Sequence, residues 1–237
     1  MAAHLRREIE NLKKEILALG AQVEWAVREA VAALVNRDGE QAIRVIGNDA
    51  RIDDIEVQVE EGCLKILALH QPVAIDLRFI IAVLKINSDL ERVGDLAVNV
   101  AERAAFLATQ PPVQVSLDFQ AMARIAQGML KKSLDALVSL SASQAREVMS
   151  NDDEVDAMNR RMYLAIQQAI HARPDQTESL IHLLSASRHL ERIADHATNI
   201  AEDVIYMVEG AIVRHKTETY KPQLSANRRN VLHSTDS

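Results

Sequence analysis

Residues 90–102 read LERVGDLAVNVAE, and residues 190–202 read LERIADHATNIAE. Eight of the thirteen positions are identical at an offset of 100 residues, so the chain contains an internal repeat. A weaker match, at an offset of 103, pairs Asp49 with Asp152. Apolar residues recur every three or four positions around both stretches, which is the pattern of amphipathic helices. The repeat therefore predicts an all-α fold made of two related helical bundles.

Turn-forming residues divide the rest of the chain into six predicted helices, three on each side of a linker. Pro72 and the run 173–175 interrupt the two halves at comparable places, and Pro111-Pro112 marks the linker. The capping spacing of Asp38 and Gln41 predicts that one continuous helix runs from there to about residue 70. We therefore predict two tandem three-helix bundles related by duplication, over 1–108 and 113–213, with a linker at 109–112 and a flexible basic tail at 214–237.

Composition excludes several other classes of protein. Gly and Pro together supply only 12 of 237 residues, which argues against collagen-like, Pro-rich and many-stranded β architectures. The charged amino-terminus lacks the apolar run of a secretory signal, and no uncharged apolar stretch is long enough to cross a membrane. The one cysteine, Cys63, has no partner for an internal disulfide. These features predict a soluble cytoplasmic protein.

The charge of the chain is unevenly distributed. The net charge is −7, but residues 214–237 carry five Lys or Arg and two Asp or Glu, so residues 1–213 carry 22 basic against 32 acidic residues. An acidic body disfavours nucleic acid as a partner. Cations, or a basic protein surface, are the partners that this charge favours.

Four pairs of acids have the spacing that places both members on one face of a helix. An antiparallel hairpin that turns at Pro72 sets residue 53 level with 91 and residue 49 level with 95, roughly 28 Å from the turn. A second hairpin that turns near residue 173 sets 156 level with 191 and 152 level with 195. Each half is therefore expected to bring four acids together: Asp49, Asp53, Glu91 and Asp95 in the first half, and Asp152, Asp156, Glu191 and Asp195 in the second.

Clustered carboxylates need positive compensation, because two such charges about 6 Å apart repel by roughly 3 kcal/mol at an effective dielectric near 20. We expect Arg92, about 100° around the helix from Glu91, to point elsewhere, and Lys131 to come within reach of Asp152. A cation from solution is then the simplest partner, and oxygen donors suit Mg²⁺, Mn²⁺ or Fe and tolerate Zn²⁺. The alternative interpretation is that these acids form solvated faces laced with salt bridges.

The stretch 70–102, HQPVAIDLRFIIAVLKINSDLERVGDLAVNVAE, together with 189–202, HLERIADHATNIAE, resembles the PhoU family of phosphate-transport accessory regulators. The resemblance extends from residue 1 to about residue 213. It implies two three-helix bundles, each binding a multinuclear iron or zinc cluster through paired E/D-x-x-x-D motifs. Those motifs match the eight acids named above.

The resemblance also implies a biological role. Members of the family are cytoplasmic and usually dimeric. They couple the phosphate-specific ABC transporter at the inner membrane to a sensor histidine kinase, and they repress the phosphate-starvation response when phosphate is plentiful. Membrane contact would then occur only through partners.

The residues themselves favour a protein without catalytic activity. We find no nucleophile–base pair, no Gly-rich phosphate loop and no GxSxG motif. A carboxylate-bridged di-metal oxidase or ferritin-like enzyme is the rival, but it requires Glu-x-x-His pairs, and the nearest string, Glu178 to His182, has the wrong spacing. A metal-free helical adaptor is the third alternative, and in it all eight acids would have Lys or Arg partners.

Overall fold

The computed structural model describes residues 2–210 and 212 and places eight α-helices in this part of the chain. The first half comprises α1 (Ala2–Asn36), α2 (Gly39–Gly47), α3 (Asp49–His70) and α4 (Ala74–Thr109). The second comprises α5 (Phe119–Ser139), α6 (Ala142–Met149), α7 (Asp152–Ala172) and α8 (Thr177–Glu209), with a 3-10 turn at Pro174–Gln176. The predicted all-α fold of two duplicated three-helix units is confirmed. The predicted basic tail, 214–237, lies outside the described residues.

The segment between the first and the last helix of each unit, which we call its middle arm, consists of two helices: α2 and α3 in the first unit, and α6 and α7 in the second. The prediction of one continuous helix there was wrong. Asn48 separates α2 from α3, and Asn151 occupies the same place between α6 and α7, 103 residues later. Each of these asparagines donates its backbone N–H to a carbonyl three residues earlier, at 3.1 Å, instead of continuing the four-residue pattern. Asn is a weak helix former because its side chain competes for backbone bonds. The break makes Asp49 and Asp152 the first residues of new helices.

The turn into each middle arm also follows the repeat. Asp38 caps α2 by accepting the backbone N–H of Gln41 at 2.9 Å, which confirms the predicted cap. Ser141 caps α6 in the same way. The residues immediately before the caps, Arg37 and Leu140, both adopt left-handed backbone conformations, with φ of 56° and 52°. The duplication is therefore preserved in the backbone of the turns as well as in the helices.

The two units share one hydrophobic core, which is centred on α4 and α8. These helices run antiparallel, since Lys85 near one end of the contact meets Asp203, and Phe106 near the other stacks on His182. The helices consequently cross near residues 94 and 194, in the middle of the repeated stretch. The core side chains are mainly Leu, Ile, Val, Ala and Met, as the low aromatic content requires.

The outer helices α1 and α5 form the second contact between the units. Gly20 on α1 is what allows the close approach, because a Cβ atom added there would lie 2.7 Å from Cδ1 of Leu134 on α5. In the part of the chain that the structure describes, no helix is both long and apolar enough to span a bilayer.

Candidate functional site

The first acid patch consists of Asp49 and Asp53 on α3 with Glu91 and Asp95 on α4. Partial burial raises the pKa of Asp49, and the charges of Asp53 and Asp95 raise it further. Partial burial followed by the charge of Asp95 likewise raises the pKa of Glu91. A methyl group placed on Gly94 would lie 3.9 Å from Oδ1 of Asp49, so the two helices pack closely at this height. The structure therefore places these four acids on one surface.

Arg92 belongs to this patch, and the prediction that it points elsewhere was wrong. Its Nε lies 3.5 Å from Oε2 of Glu91, and its Nη1 lies 3.3 Å from Oδ2 of Asp95. A long arginine side chain can lean along the helix surface and span neighbouring positions, which a count of degrees around the helix axis misses. Since the Arg92 side chain is largely exposed, each pairing contributes little to stability.

The second acid patch consists of Asp152 and Asp156 on α7 with Glu191 and Asp195 on α8. Asp195 is exposed to solvent, although nearby protein partly desolvates its carboxyl group. Desolvation, followed by the charges of Asp152, Glu191 and Asp156, raises the pKa of Asp195 to about 6. Partial burial and the charge of Asp156 also raise the pKa of Asp152, although Thr198 donates a weak hydrogen bond to it at 3.4 Å. The structure thus places the second set of four acids together too.

Cationic compensation is weaker at the second patch. Lys131 was expected within reach of Asp152, but it instead pairs with Asp135 on its own helix at 3.1 Å. Arg160 approaches Asp156 only to 4.0 Å. The helix break supplies a different compensation in both patches, because the positive end of a helix dipole lies beneath Asp49 and Asp152. Sequence reasoning missed this contribution, although the Gly47-Asn48 dipeptide signalled a turn.

The side chains of the acid patches are suitable metal ligands, but they do not converge on one point. All eight predicted ligands are carboxylates, which are the donors that hard and borderline cations prefer. Yet among residues 2–210 and 212, no three Asp, Glu, His or Cys side chains approach closely enough to form a ready-made metal site. The patches therefore offer suitable donors without a preformed coordination shell, and their role as metal ligands stays a prediction.

Two histidines, His182 and His196, lie at the contact between the two units. His196 on α8 donates through Nδ1 to Oδ1 of Asp89 on α4, at 2.8 Å. His182 stacks on Phe106 with ring centroids 3.9 Å apart, and burial followed by the charge of Arg103 lowers its pKa. These contacts join residues about 75 to 110 positions apart, so no local sequence pattern could indicate them.

A buried polar link recurs in both units and fixes the alignment of the repeat in space. In the first, the side-chain amide of Asn87 on α4 donates to the backbone oxygen and Oε1 of Glu56 on α3, at 2.9 and 3.0 Å. In the second, Ser187 on α8 donates to Oδ1 of Asn159 on α7 at 3.0 Å. The partners are related by 100 residues in α4 and α8 and by 103 residues in α3 and α7.

Comparison with known proteins also finds a tandem repeat in the chain. The PhoU domain family matches twice, over residues 16–104 and 119–204. A phosphate-specific transport system accessory protein PhoU homolog from Aquifex aeolicus is 38% identical over 212 residues, covering 90% of this chain and 96% of that protein. A homolog of the same name from Caulobacter vibrioides is 35% identical over 204 residues, covering 86% and 89%.

Solved structures agree with the sequence relatives. The crystal structure of PhoU from Pseudomonas aeruginosa has a TM-score of 0.84 and 36% identity, covering 87% of this chain and 99% of that one. The phosphate transport system regulatory protein PhoU from Streptococcus pneumoniae has a TM-score of 0.79 and 29% identity, covering 88% and 99%. The relatives are named as accessory or regulatory proteins, not as enzymes, in agreement with the predicted lack of catalytic activity.

Proposed function

This chain belongs to the PhoU family, and on that basis we propose that it is an accessory protein of a phosphate-specific transport system that regulates phosphate uptake and signalling from the cytoplasm. One observation carries the proposal: the relatives match both repeats and nearly their own full length, and they bear the name of that transport system. The regulatory part of the proposal is that the protein represses the phosphate-starvation response by coupling the ABC transporter to a sensor histidine kinase.

The fold supports a role in docking rather than in turnover. The two units are held together by a continuous core and by polar links such as Lys85–Asp203 and His196–Asp89. Such a frame presents long, stable helical faces, and protein partners recognise rigid surfaces with little loss of conformational entropy. The acid patches lie on these faces and are open to solvent at their rims.

The test of the regulatory role is deletion of the gene in its host, with a phosphate-starvation reporter measured in phosphate-rich medium. We expect the reporter to be derepressed in the deletion strain and silenced again by the wild-type chain. Co-purification with the transporter's ATPase subunit tests the transport association separately. A reporter that stays repressed in the deletion strain contradicts the regulatory role, whatever the co-purification gives.

We propose in addition that the acid patches bind metal ions, with iron or zinc as the first candidates and Mg²⁺ or Mn²⁺ as alternatives. The eight carboxylate donors support this, and so do the raised pKa values of Asp49, Glu91, Asp152 and Asp195. Partial burial is the first cause of each rise and the charges of neighbouring acids add to it, so a bound cation would stabilise the ionised carboxylates. The side chains would have to rotate inward to converge, which partly exposed carboxylates can do without moving the helices.

Elemental analysis of protein purified without chelator tests the metal proposal. We expect the variant Asp53→Ala/Glu91→Ala to lose about half of the bound metal, as one of two patches is removed. Asp135→Ala, which removes an exposed acid from α5, is the matched control and leaves the metal content unchanged. Equal metal content in all three proteins would refute the assignment, whereas oxygen consumption by the iron-loaded protein would favour the oxidase alternative.

The proposed assembly is a homodimer. Light scattering during size-exclusion chromatography distinguishes the states, since the chain mass is 26.3 kDa. A single peak at twice that mass is the expected result, and a monomer at all concentrations contradicts it.

A further inference from the structure

A groove between α7 and α8 lies beside the second acid patch. It has a volume of about 460 Å³ and is lined by Asn159, Arg160, Tyr163 and Leu164 of α7 and by Leu184 and Arg188 of α8, and Glu191 closes the end nearest the patch. We refer to it as the Arg–Tyr groove. Its walls are apolar and its rim carries two guanidinium groups.

Two large side chains in the walls of the groove are more than half exposed to solvent. Tyr163 is 51% exposed and Leu164 is 56% exposed. Asn159 is fixed in position, because its side-chain oxygen accepts a hydrogen bond from the buried Ser187 hydroxyl at the base of the groove. Arg160 lies 4.0 Å from Asp156, and Arg188 has no ion-pair partner within the described part of the chain. The groove therefore combines an open apolar wall with a guanidinium group that is free to bind.

The first unit provides an internal comparison, since it has the same fold and its residues align by the buried polar link. The floor is unchanged, with Leu84 at the position of Leu184. The walls and rim differ: in the first unit Val57, Glu60, Glu61 and Ser88 occupy the places of Arg160, Tyr163, Leu164 and Arg188. The duplicated fold does not require the basic and apolar character, because the first unit forms the same structure with acidic side chains.

We propose that the Arg–Tyr groove is a docking site for an acidic segment of a partner protein that carries a bulky apolar side chain. The apolar side chain packs on Tyr163, Leu164 and Leu184, while carboxylates on either side pair with Arg160 and Arg188. Guanidinium groups bind carboxylates in two-point geometry, and Tyr and Arg dominate the energetics of many protein interfaces. The inference rests on the proposed docking role and narrows it to one surface.

Charge selects this occupant over a segment of the same chain. The residues that follow α8 carry five Lys or Arg and two acids from 214 to 237, so the arginines of the groove repel them. The charged side chains that line the groove are two arginines, Arg160 and Arg188, and one acid, Glu191, so the lining is basic although the net charge of the chain is acidic. Electrostatic complementarity therefore favours an acidic segment, and the apolar walls add to the binding.

Peptide selection on the full-length protein tests this inference. A phage library that displays random 12-residue peptides is first incubated with the folded Arg188→Glu variant, which removes peptides whose binding does not require Arg188. The remaining phage are then selected on the wild-type protein. We expect enriched peptides to combine Asp or Glu with Leu, Phe or Trp. We expect fluorescence anisotropy to show at least tenfold weaker binding to Arg188→Glu and Arg160→Glu, and several-fold weaker binding to Tyr163→Ala. Arg124→Glu, the same charge change at an exposed site on α5, is the matched control and leaves binding unchanged.

Several outcomes overturn the inference. Enriched peptides that are neutral or basic, or that bind Arg188→Glu as tightly as the wild type, remove the groove as an acidic-segment site. Binding of phosphatidylglycerol vesicles that depends on Arg188 makes it a lipid site, and a change of oligomeric mass in Arg188→Glu makes it a contact between copies. Folding is checked by far-ultraviolet circular dichroism. Reporter repression is measured separately, so failure of the groove is distinguishable from failure of the regulatory role.

Discussion

Replacing Lys85 by Met is expected to destabilise the protein through the contact between its two units. Lys85 on α4 lies 3.2 Å from Oδ1 of Asp203 on α8, and its Nζ lies 5.3 Å from the ring centroid of Tyr206. Asp203 is 1% exposed, so its carboxylate has been removed almost entirely from water. Met keeps the length and the apolar stem of the side chain but removes the charge.

The size of the expected loss in stability follows from how deeply the Lys85 and Asp203 side chains are buried. Removing one partner of a fully buried ion pair costs about 3–5 kcal/mol, because the remaining charge loses its attraction to that partner. The Lys85 side chain is 40% exposed, which admits water at one edge and reduces the expected loss to about 2 kcal/mol. For a chain of this length, that corresponds to a fall in Tm of roughly 4–8 °C.

Thermal and urea unfolding followed by circular dichroism at 222 nm measure the effect. The double variant Lys85→Met/Asp203→Asn is expected to lose less stability than the sum of its single variants, because both substitutions remove the same ion pair. Arg146→Met is the control: it breaks an exposed ion pair with Glu209 at 2.7 Å and is expected to shift the midpoint little. Additive losses in the double variant, or equal midpoints for Lys85→Met and the wild type, would show that this pair does not couple the units.

Three further predictions concern single positions. In metal-free protein, Asp195→Asn is expected to raise the free energy of unfolding by about 1 kcal/mol at pH 7, after allowance for the exposure of this side chain. The pKa of Asp195 is about 6 in the folded protein against an ordinary 3.8, so the cost of ionising Asp195 in the folded state develops as the pH rises between these values, and the variant removes that cost. The urea unfolding curves of the variant and the wild type should therefore coincide below pH 4 and separate above pH 6. Gly20→Ala lowers the free energy of unfolding by about 1–3 kcal/mol, since its Cβ would meet Leu134 at 2.7 Å. Gly128→Ala, with open space around it, raises the free energy of unfolding by up to about 1 kcal/mol. Equal changes for the two variants in urea unfolding would disprove the close-approach explanation. Burial, followed by the charges of two nearby glutamates, raises the pKa of the Cys63 thiol to about 12. Ellman's reagent should therefore react with Cys63 at pH 8 only after the protein is denatured. Rapid reaction with the native protein would contradict the burial of this thiol.

The positions of the acids illustrate what sequence reasoning can reach. Two antiparallel helices advance by the same rise per residue, so residues equidistant from the turn lie at equal heights. That rule predicts Asp49 near Asp95 and Asp152 near Asp195. The charge of Asp95 contributes to the raised pKa of Asp49, and the charge of Asp152 contributes to the raised pKa of Asp195, in agreement with the rule. The same rule says nothing about rotamers, and it consequently missed the way Arg92 folds back onto two of the acids.

The amino-acid sequence by itself determined the helices, the duplication and the faces that carry the acid pairs. These are local properties, because helix periodicity fixes which side of each helix is apolar and which is charged. Only the tertiary structure decided how the units meet: the antiparallel crossing of α4 and α8 brings Lys85 to Asp203, 118 residues away. The physical reason is that packing between distant segments depends on complementary shapes in three dimensions, which no periodicity along a single chain can encode.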